Sequence, residues 1–297
     1  MKTHLTILLT IAIISTTIAQ SYTTETGKKH LWGVVTADQF KEEPYADWYQ
    51  KSQDKYTSTL SKNDGKNLKN IKVKAFLGTW CGDTKNLLPK FVKAWTTMGL
   101  REDQIEFIAL HNRDEKYKQG PNKETDDYNI HKVPTFVFEK EGKEIGRIVE
   151  QTVFDLDTDI KLIAEGKPYK NRYQAISILD EYLKTVNPDS LMTKTTINGA
   201  YRKISREGPK SSVINTYGYI LKYQGETKKA QMVFKLNTSM FPYEPNTHDS
   251  YGEILLEMKE YEKAKEEYYE ALRLKKEDEH IVKKLAEISE KIAEIES

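Results

Sequence analysis

The sequence predicts an α/β domain, with a central mixed sheet flanked by helices, followed by an all-α region of helical repeats. Three observations carry this prediction. A buried-strand pattern runs straight into a helix pattern over residues 71–95, a second pair of strands follows at 135–149, and helical spacing alone fills the chain from about residue 170.

Composition narrows the class of function. The 297 residues carry 46 basic and 45 acidic side chains and a net charge of +1, which argues against nucleic acid or an anionic membrane surface as the main partner. There is one cysteine, Cys81, so the chain cannot form a disulfide within itself. The surroundings of that thiol are therefore the most informative part of the sequence.

Residues 1–19 have the pattern of a cleavable signal peptide. Lys2 and His4 give a short polar start, and Leu5 to Ile14 is almost wholly apolar but short for a membrane span. Small side chains at Thr17 and Ala19 predict cleavage after Ala19, and hence a periplasmic or secreted protein without an integral membrane segment. A retained membrane anchor is the alternative. No cysteine follows the apolar run, which excludes a lipid anchor there.

Residues 20–70 are predicted to be an N-terminal extension that packs on the following domain. Residues 20–33 are expected to be a disordered or edge lead-in, and Leu31–Val35 a short strand. After Pro44, aromatic residues recur at three- and four-residue spacing, which predicts an amphipathic helix with an aromatic face running from Tyr45 to Tyr56. Such a stripe is typical of core packing.

Residues 71–168 are predicted to form the α/β domain. A polar stretch over 111–127 is expected to be a loop with about one helical turn. The predicted strands are Ile71–Leu77, Ile105–Leu110, Thr135–Phe138 and Glu144–Val149, and the predicted helices are Asp83–Trp95 and Asp155–Glu165, which end at Gly99 and Gly166.

Residues 169–297 are predicted to be helical and repetitive. The pairs Tyr217/Tyr251, Gly218/Gly252 and Ala230/Ala264 share one constant offset along the chain. This offset resembles the period of the tetratricopeptide repeat, which is about 34 residues. Two units are expected at 213–245 and 247–280, with a divergent helical pair at 171–206 and a capping helix over 279–296.

Cys81 lies where a predicted strand ends and a predicted helix begins. Helix-terminal N–H groups and the positive end of the helix dipole favour a thiolate at that position. The Thr84 hydroxyl, one turn on, is placed to donate a hydrogen bond to the sulfur. Asp83 either opposes the thiolate by its charge or points outward and caps the helix; the sequence leaves both open.

Two segments resemble the landmarks of thioredoxins. The first is the run from Phe76 to Lys85, which contains Trp80-Cys81-Gly82-Asp83-Thr84 and is followed by Pro89, eight residues after the cysteine. This segment is similar to the thioredoxin active-site strand, loop and helix. Val133-Pro134-Thr135 and the hairpin after it resemble the cis-proline strand, at a greater separation from the cysteine than in a minimal thioredoxin. The excess length falls in the polar 111–127 loop.

The resemblance implies a role for each matched residue. It implies a reactive Cys81 with Trp80, Asp83, Thr84 and Pro134 around it, and a cis Pro134 that holds the Val133 backbone against the sulfur. A groove formed by Trp80, Gly82, Val133, Pro134 and Thr135 would pair with an extended substrate as with another strand.

Two departures from the family pattern change the expected chemistry. Thr84 replaces the resolving cysteine, and Ala75 stands where thioredoxins carry a buried aspartate that accepts the resolving thiol's proton. The two losses are coherent, because a base without its cysteine would be an unpaired buried charge. Dithiol turnover is therefore excluded, and a mixed disulfide on Cys81 needs an outside thiol for release.

Two hypotheses follow. In the first, Cys81 forms transient mixed disulfides with protein or peptide partners while the repeats recruit a partner. In the second, the protein is a non-catalytic scaffold whose groove and repeats bind other chains. Under either hypothesis the repeat region, with only two or three units, is expected to pack against the first domain or to mediate self-association. A thiol peroxidase is a weaker third hypothesis. Its reactive cysteine needs an upstream threonine and proline and a nearby arginine, and only the threonine, Thr79, is found.

No cofactor or metal site is expected, since the six histidines show no ligand spacing. His131 is expected at the surface, with a position beside the sulfur as the alternative.

Overall fold

Within residues 20–296, which the computed structural model describes, a six-stranded mixed sheet has the order β1-β2-β4-β3-β5-β6. The strands β3 and β4 are parallel, and the other neighbouring pairs are antiparallel. The strands are β1 (Gln20–Thr23), β2 (Lys29–Val35), β3 (Ile71–Leu77), β4 (Ile105–Ala109), β5 (Thr135–Lys140) and β6 (Lys143–Val149). The predicted signal peptide lies outside the described residues.

The sheet buries both of its faces, because side chains alternate along each strand. Val73, Ala75 and Leu77 of β3 belong to the larger core, while Phe76 belongs to a smaller cluster on the other face. The larger core is shared with three helices, α1 (Ala46–Asp54), α2 (Gly82–Thr97) and α3 (Leu156–Ala164). The smaller cluster is completed by Leu110, Ile130 and Val133, which belong to the long segment between β4 and β5.

The strands and helices predicted for residues 71–165 are all present, with ends that differ by two residues at most. Helix α2 contains Pro89, and its Phe91 stacks on Phe136 of β5 at a ring-centroid distance of 4.0 Å. Gly99 follows α2 with φ of +72°, a left-handed conformation that ends the helix at low cost. The mixed sheet flanked by helices is therefore confirmed.

The N-terminal extension is more ordered than its polar composition indicates. Of the two alternatives for the lead-in, the edge position is the one observed: residues 20–23 and 29–35 are strands that extend the sheet, with β1 at its edge. Helix α1 ends at Asp54, so Tyr56 lies beyond it; its ring still packs against the larger core, and its hydroxyl donates to the Asp157 carboxylate. Such a long-range polar partner is not encoded in local spacing.

The C-terminal region is helical throughout, and two of its helix pairs repeat. The pair α6–α7 is followed at the predicted constant offset by the pair α8–α9. A side chain at Gly218 would meet Phe234 at 2.7 Å, and one at Gly252 would meet Tyr268 at 3.0 Å, so both pairs make the same close crossing. The helices are α4 (Gln174–Thr185), α5 (Lys194–Ile204), α6 (Ser211–Tyr223), α7 (Thr227–Met240), α8 (Pro245–Glu257), α9 (Tyr261–Leu274) and α10 (Glu279–Glu296).

The helical region packs against the sheet domain through polar and aromatic contacts. Asp180 of α4 accepts hydrogen bonds from the Asn129 amide and, at 2.8 Å, from the Tyr217 hydroxyl. Tyr173 donates its hydroxyl to Glu150, just after β6. These contacts attach the first repeat helices to the segments that flank β5.

Candidate functional site

Cys81 is the N-cap residue of α2. Its backbone is extended, with φ of −87° and ψ of 129°, and its carbonyl accepts the first helical hydrogen bond, from Lys85 N–H at 3.1 Å. The sulfur therefore lies beside the first-turn N–H groups, which have no partner within the helix. Cys81 is half-buried.

Two side chains attach the loop before Cys81 to neighbouring strands. The buried Thr79 hydroxyl accepts a hydrogen bond from Leu31 N–H at 3.2 Å and lies 3.2 Å from Nδ1 of His30. Trp80 donates from Nε1 to the Leu110 carbonyl at 2.9 Å. The sequence gives no signal for the first contact, because its partner belongs to β2, on the far side of α1 in the chain.

Gly78 is required by the position of the Trp80 ring. A Cβ atom at Gly78 would lie 2.5 Å from Trp80 Cε2, too close for any other residue without displacement of the indole. Trp80 thus folds back over the loop and, with Cys81, packs against the smaller apolar cluster.

The Val133-Pro134 segment faces the sulfur. The peptide bond between these residues is cis, as the resemblance implies. The Cys81 thiol donates to the Val133 carbonyl at 3.3 Å, and the Pro134 carbonyl accepts from Glu150 N–H at 2.7 Å. The Thr135 hydroxyl donates to the Lys132 carbonyl at 2.7 Å and so closes the turn before β5.

Thr84 does not donate to the sulfur. Its side chain is fully buried, and its hydroxyl accepts a hydrogen bond from Gly78 N–H at 3.3 Å. Within residues 20–296 no hydrogen bond joins Thr84 to Cys81, so the predicted hydroxyl–thiolate contact is wrong for this state of the loop. The physical reason is that the strand-to-loop turn leaves a buried amide that needs an acceptor.

Asp83 and Gly82 leave one side of the sulfur open. Gly82 is exposed, and a Cβ atom built on it meets nothing within 4 Å. Asp83 is half-exposed in the first turn of α2, and in the described part of the chain its carboxylate has no hydrogen-bond or ion-pair partner. Its negative charge therefore acts on the helix dipole and on any approaching group through space, without a capping hydrogen bond.

Ala75, on the strand that leads into the Cys81 loop, lies in an apolar environment. It is fully buried in β3, paired in register with Phe107 of β4 and Phe136 of β5. A carboxylate there would enter a hydrophobic core.

Two buried titratable residues near the site were missed or misplaced by sequence reasoning. Lys118 is 4% exposed and donates from Nζ to the His131 carbonyl at 2.6 Å; burial, then the charge of Lys132, lowers its pKa to about 7. His131 is buried rather than at the surface, edge-on to Tyr173 and Tyr217. Burial, then the charge of Lys118, lowers the pKa of His131 to about 3.

Within residues 20–296 no helix is long and apolar enough to cross a membrane. The same residues contain no group of three or more histidine, cysteine or acidic side chains arranged to hold a metal ion.

The family comparison agrees with this geometry. The thioredoxin family model matches residues 49–161, which include most of α1, then β3, α2 and the strands up to α3. The chain thus contains a thioredoxin domain followed by a helical C-terminal region. No curated protein matches the chain.

Proposed function

We propose that this protein carries out thiol–disulfide exchange with partner proteins through one cysteine, Cys81. The observation that carries the proposal is the position of Cys81: its sulfur lies at the start of α2, against the carbonyl of Val133 that precedes cis Pro134. The partial exposure of Cys81, beside the exposed Gly82, gives a partner disulfide access to that sulfur.

The proposed reaction uses the Cys81 thiolate as nucleophile. It attacks one sulfur of a partner disulfide, a bond forms between Cys81 Sγ and that sulfur, and the other partner sulfur leaves as a thiolate and takes a proton from water. An outside thiol then attacks the partner's sulfur in the mixed disulfide. That step releases Cys81 as a thiolate and leaves the partner bonded to the incoming thiol, so no net electrons are gained or lost by Cys81 over the cycle.

The partner's backbone would lie along Val133 to Thr135. The Val133 carbonyl now accepts the thiol hydrogen, and only the protonated thiol can donate it. When the sulfur ionises, that carbonyl becomes free to accept from a backbone N–H of an extended peptide.

Export and partner recruitment complete the proposal. The polar start, apolar run and small residues up to Ala19 support secretion to the periplasm or the exterior. The constant offset of the two helix pairs, and the repeated close crossing at Gly218 and Gly252, support tetratricopeptide-like repeats that bind a partner chain.

A trapping experiment tests the reaction. The tagged protein is expressed in its exporting host, the cells are quenched with acid, and mixed disulfides are resolved without reductant. We expect covalent adducts that disappear in Cys81→Ser and on reduction, while Thr84→Ser, which keeps the thiol and the buried acceptor, retains them. The same partner set in Cys81→Ser would show that the thiol does not capture the partners.

A non-catalytic binding scaffold is the second candidate, and a specific cleft favours it. A cleft of about 510 Å³ opens between the sheet domain and the first helices. Its lining includes Lys132, Glu150, Arg172, Tyr173 and Lys210, and Glu150 N–H bonds to the Pro134 carbonyl, so the cleft adjoins the proline turn. Non-covalent partner binding of equal affinity in wild type and Cys81→Ser, without adducts, would select this function.

A further inference from the structure

Lys118 is buried without a carboxylate. It forms no ion pair with any acidic side chain of residues 20–296; its one polar contact is the His131 carbonyl, and its Nζ lies 4.4 Å from the centroid of the Tyr117 ring. An ammonium held by one carbonyl in an apolar site is costly, so lysines are rarely buried in this way.

The backbone also holds Lys118 in an uncommon conformation. Its φ is +53°, in the left-handed region that non-glycine residues rarely adopt, and its N–H donates to the His111 carbonyl at 2.8 Å. The segment therefore turns the lysine inward, although a polar loop could leave such a side chain in water at less cost. This arrangement is typical of a functional position.

Lys118 and Cys81 are attached to the same short segment. Nζ binds the carbonyl of His131 and the thiol binds the carbonyl of Val133, two residues further on. Carbonyls two residues apart lie at most about 7 Å from each other, so Lys118 Nζ and Cys81 Sγ, at 2.6 Å and 3.3 Å from those carbonyls, are at most about 13 Å apart. A charge on the cysteine correspondingly favours the ammonium form of Lys118.

The other charged groups around Lys118 shift its pKa in opposite directions. The positive charge of Lys132 disfavours a second charge at Lys118, whereas the Glu150 carboxylate favours it, and these two residues form an ion pair at 3.2 Å. His131 is buried and neutral near pH 7, since burial lowers its pKa to about 3. The thiolate is thus the partner that can complete the charge balance of Lys118.

We propose that Lys118 is a positioning residue for the thiol chemistry of Cys81, and that its buried ammonium supplies the positive charge that favours the thiolate. The ammonium acts through space and does not contact the substrate. The role of this coupling in catalysis rests on the proposed function. The electrostatic coupling between Lys118 and Cys81 itself does not depend on a partner protein. Where thioredoxins place a buried carboxylate, this chain has Ala75 and, from a different segment, a buried cation.

The test is the rate of Cys81 alkylation by iodoacetamide as a function of pH, followed by mass spectrometry. Lys118→Met removes the amine and keeps the length of the side chain. We expect the rate at pH 6, below the pKa of about 7 of Lys118, to fall roughly tenfold and the midpoint of the profile to move to higher pH. Lys116→Met, an exposed lysine two residues earlier in the same loop, is the matched control and should stay within about twofold of wild type.

Each outcome is interpretable. A Lys118→Met profile that overlays the wild-type profile overturns the inference, as does an equal slowing in Lys116→Met. Circular dichroism and a thermal melt confirm folding, and Lys118→Leu gives a second apolar variant if methionine is poorly accommodated. Alkylation that depends on Lys118 in a protein that traps no partner would refute the proposed exchange function while leaving the coupling intact.

Discussion

Replacing Thr84 with cysteine tests whether the loop retains the geometry of a dithiol site. Thr84 lies in the first turn of α2, three residues after Cys81, and residues at that spacing on a helix have Cβ atoms about 5–6 Å apart. Disulfides need Cβ atoms about 3.5–4.5 Å apart, so the start of α2 must bring the two side chains about 1–2 Å closer before the bond forms. The introduced sulfur would be buried and that of Cys81 half-exposed, which is the asymmetry of an attacking and a resolving thiol.

The substitution has two opposing effects on stability. The Thr84 hydroxyl accepts the Gly78 N–H at 3.3 Å, and sulfur is a poor acceptor. Leaving a buried amide without a good partner costs about 1–3 kcal/mol, and the length of this bond places the cost near the lower end. Closing a loop of about four residues with a disulfide restricts the unfolded chain by about 2 kcal/mol. The oxidised variant should therefore be about 2 kcal/mol more stable than the reduced one.

The assay compares urea unfolding of the oxidised and reduced variant, with free thiols counted by Ellman's reagent. Thr84→Ser, which keeps the hydroxyl acceptor, should unfold like wild type. Under an oxidising glutathione buffer Thr84→Cys should lose both free thiols, and with dithiothreitol it should accelerate insulin reduction, which wild type cannot do by the dithiol route. Two thiols that stay free, or an oxidised form less stable than the reduced one, would refute the geometric reasoning.

Two further predictions concern stability. His131 is neutral in the folded protein because burial lowers its pKa to about 3, whereas the unfolded residue has a pKa near 6.5. Its contribution is therefore complete above pH 6.5 and lost as the pH falls towards 3. The loss amounts to up to roughly 5 kcal/mol at about 1.4 kcal/mol per pH unit. His131→Gln should flatten this part of the wild-type stability curve measured by urea unfolding at a series of pH values, and parallel curves would contradict the assignment. Gly218→Ala should lower stability by up to about 2 kcal/mol. Its Cβ would lie 2.7 Å from Phe234, and overpacking of about 1–3 kcal/mol outweighs a helix-propensity gain of about 1 kcal/mol. In thermal melts Gly82→Ala, with open space around it, is the neutral control, and an unchanged Gly218→Ala would show that the helix crossing can relax.

The sequence predicted most boundaries of the strands and helices. The predicted strand Ile71–Leu77 has the same ends as β3, because its alternating apolar residues are typical of a strand and the loop at Cys81 ends it. The constant offset of the paired residues likewise placed α6 to α9, since each helix pair must bury the same small and aromatic positions. Local periodicity left residues 20–30 between a disordered and an edge segment, because their polar side chains become strands through pairing: β2 pairs with β4, and β1 pairs with β2.

The position of the candidate site also followed from the sequence. A single cysteine between a strand and a helix, with a proline strand further along, predicted that the thiol lies against the backbone before Pro134, as the structure has it. That much follows from motif and spacing, because the strand, the helix N-terminus and the proline turn are local structures.

The environment of the sulfur was decided by tertiary structure alone. Whether Thr84 faces Cys81 or the Gly78 amide depends on which buried donor lacks an acceptor, and whether Lys118 and His131 are buried depends on how the 111–133 segment covers the sheet and on what α4 and α6 pack against. These outcomes are set by contacts between residues distant in sequence. The sequence by itself thus determined that Cys81 is the one thiol of a thioredoxin-like loop, and the folded chain determined which charges surround it, because burial and distance exist only once the segments have packed.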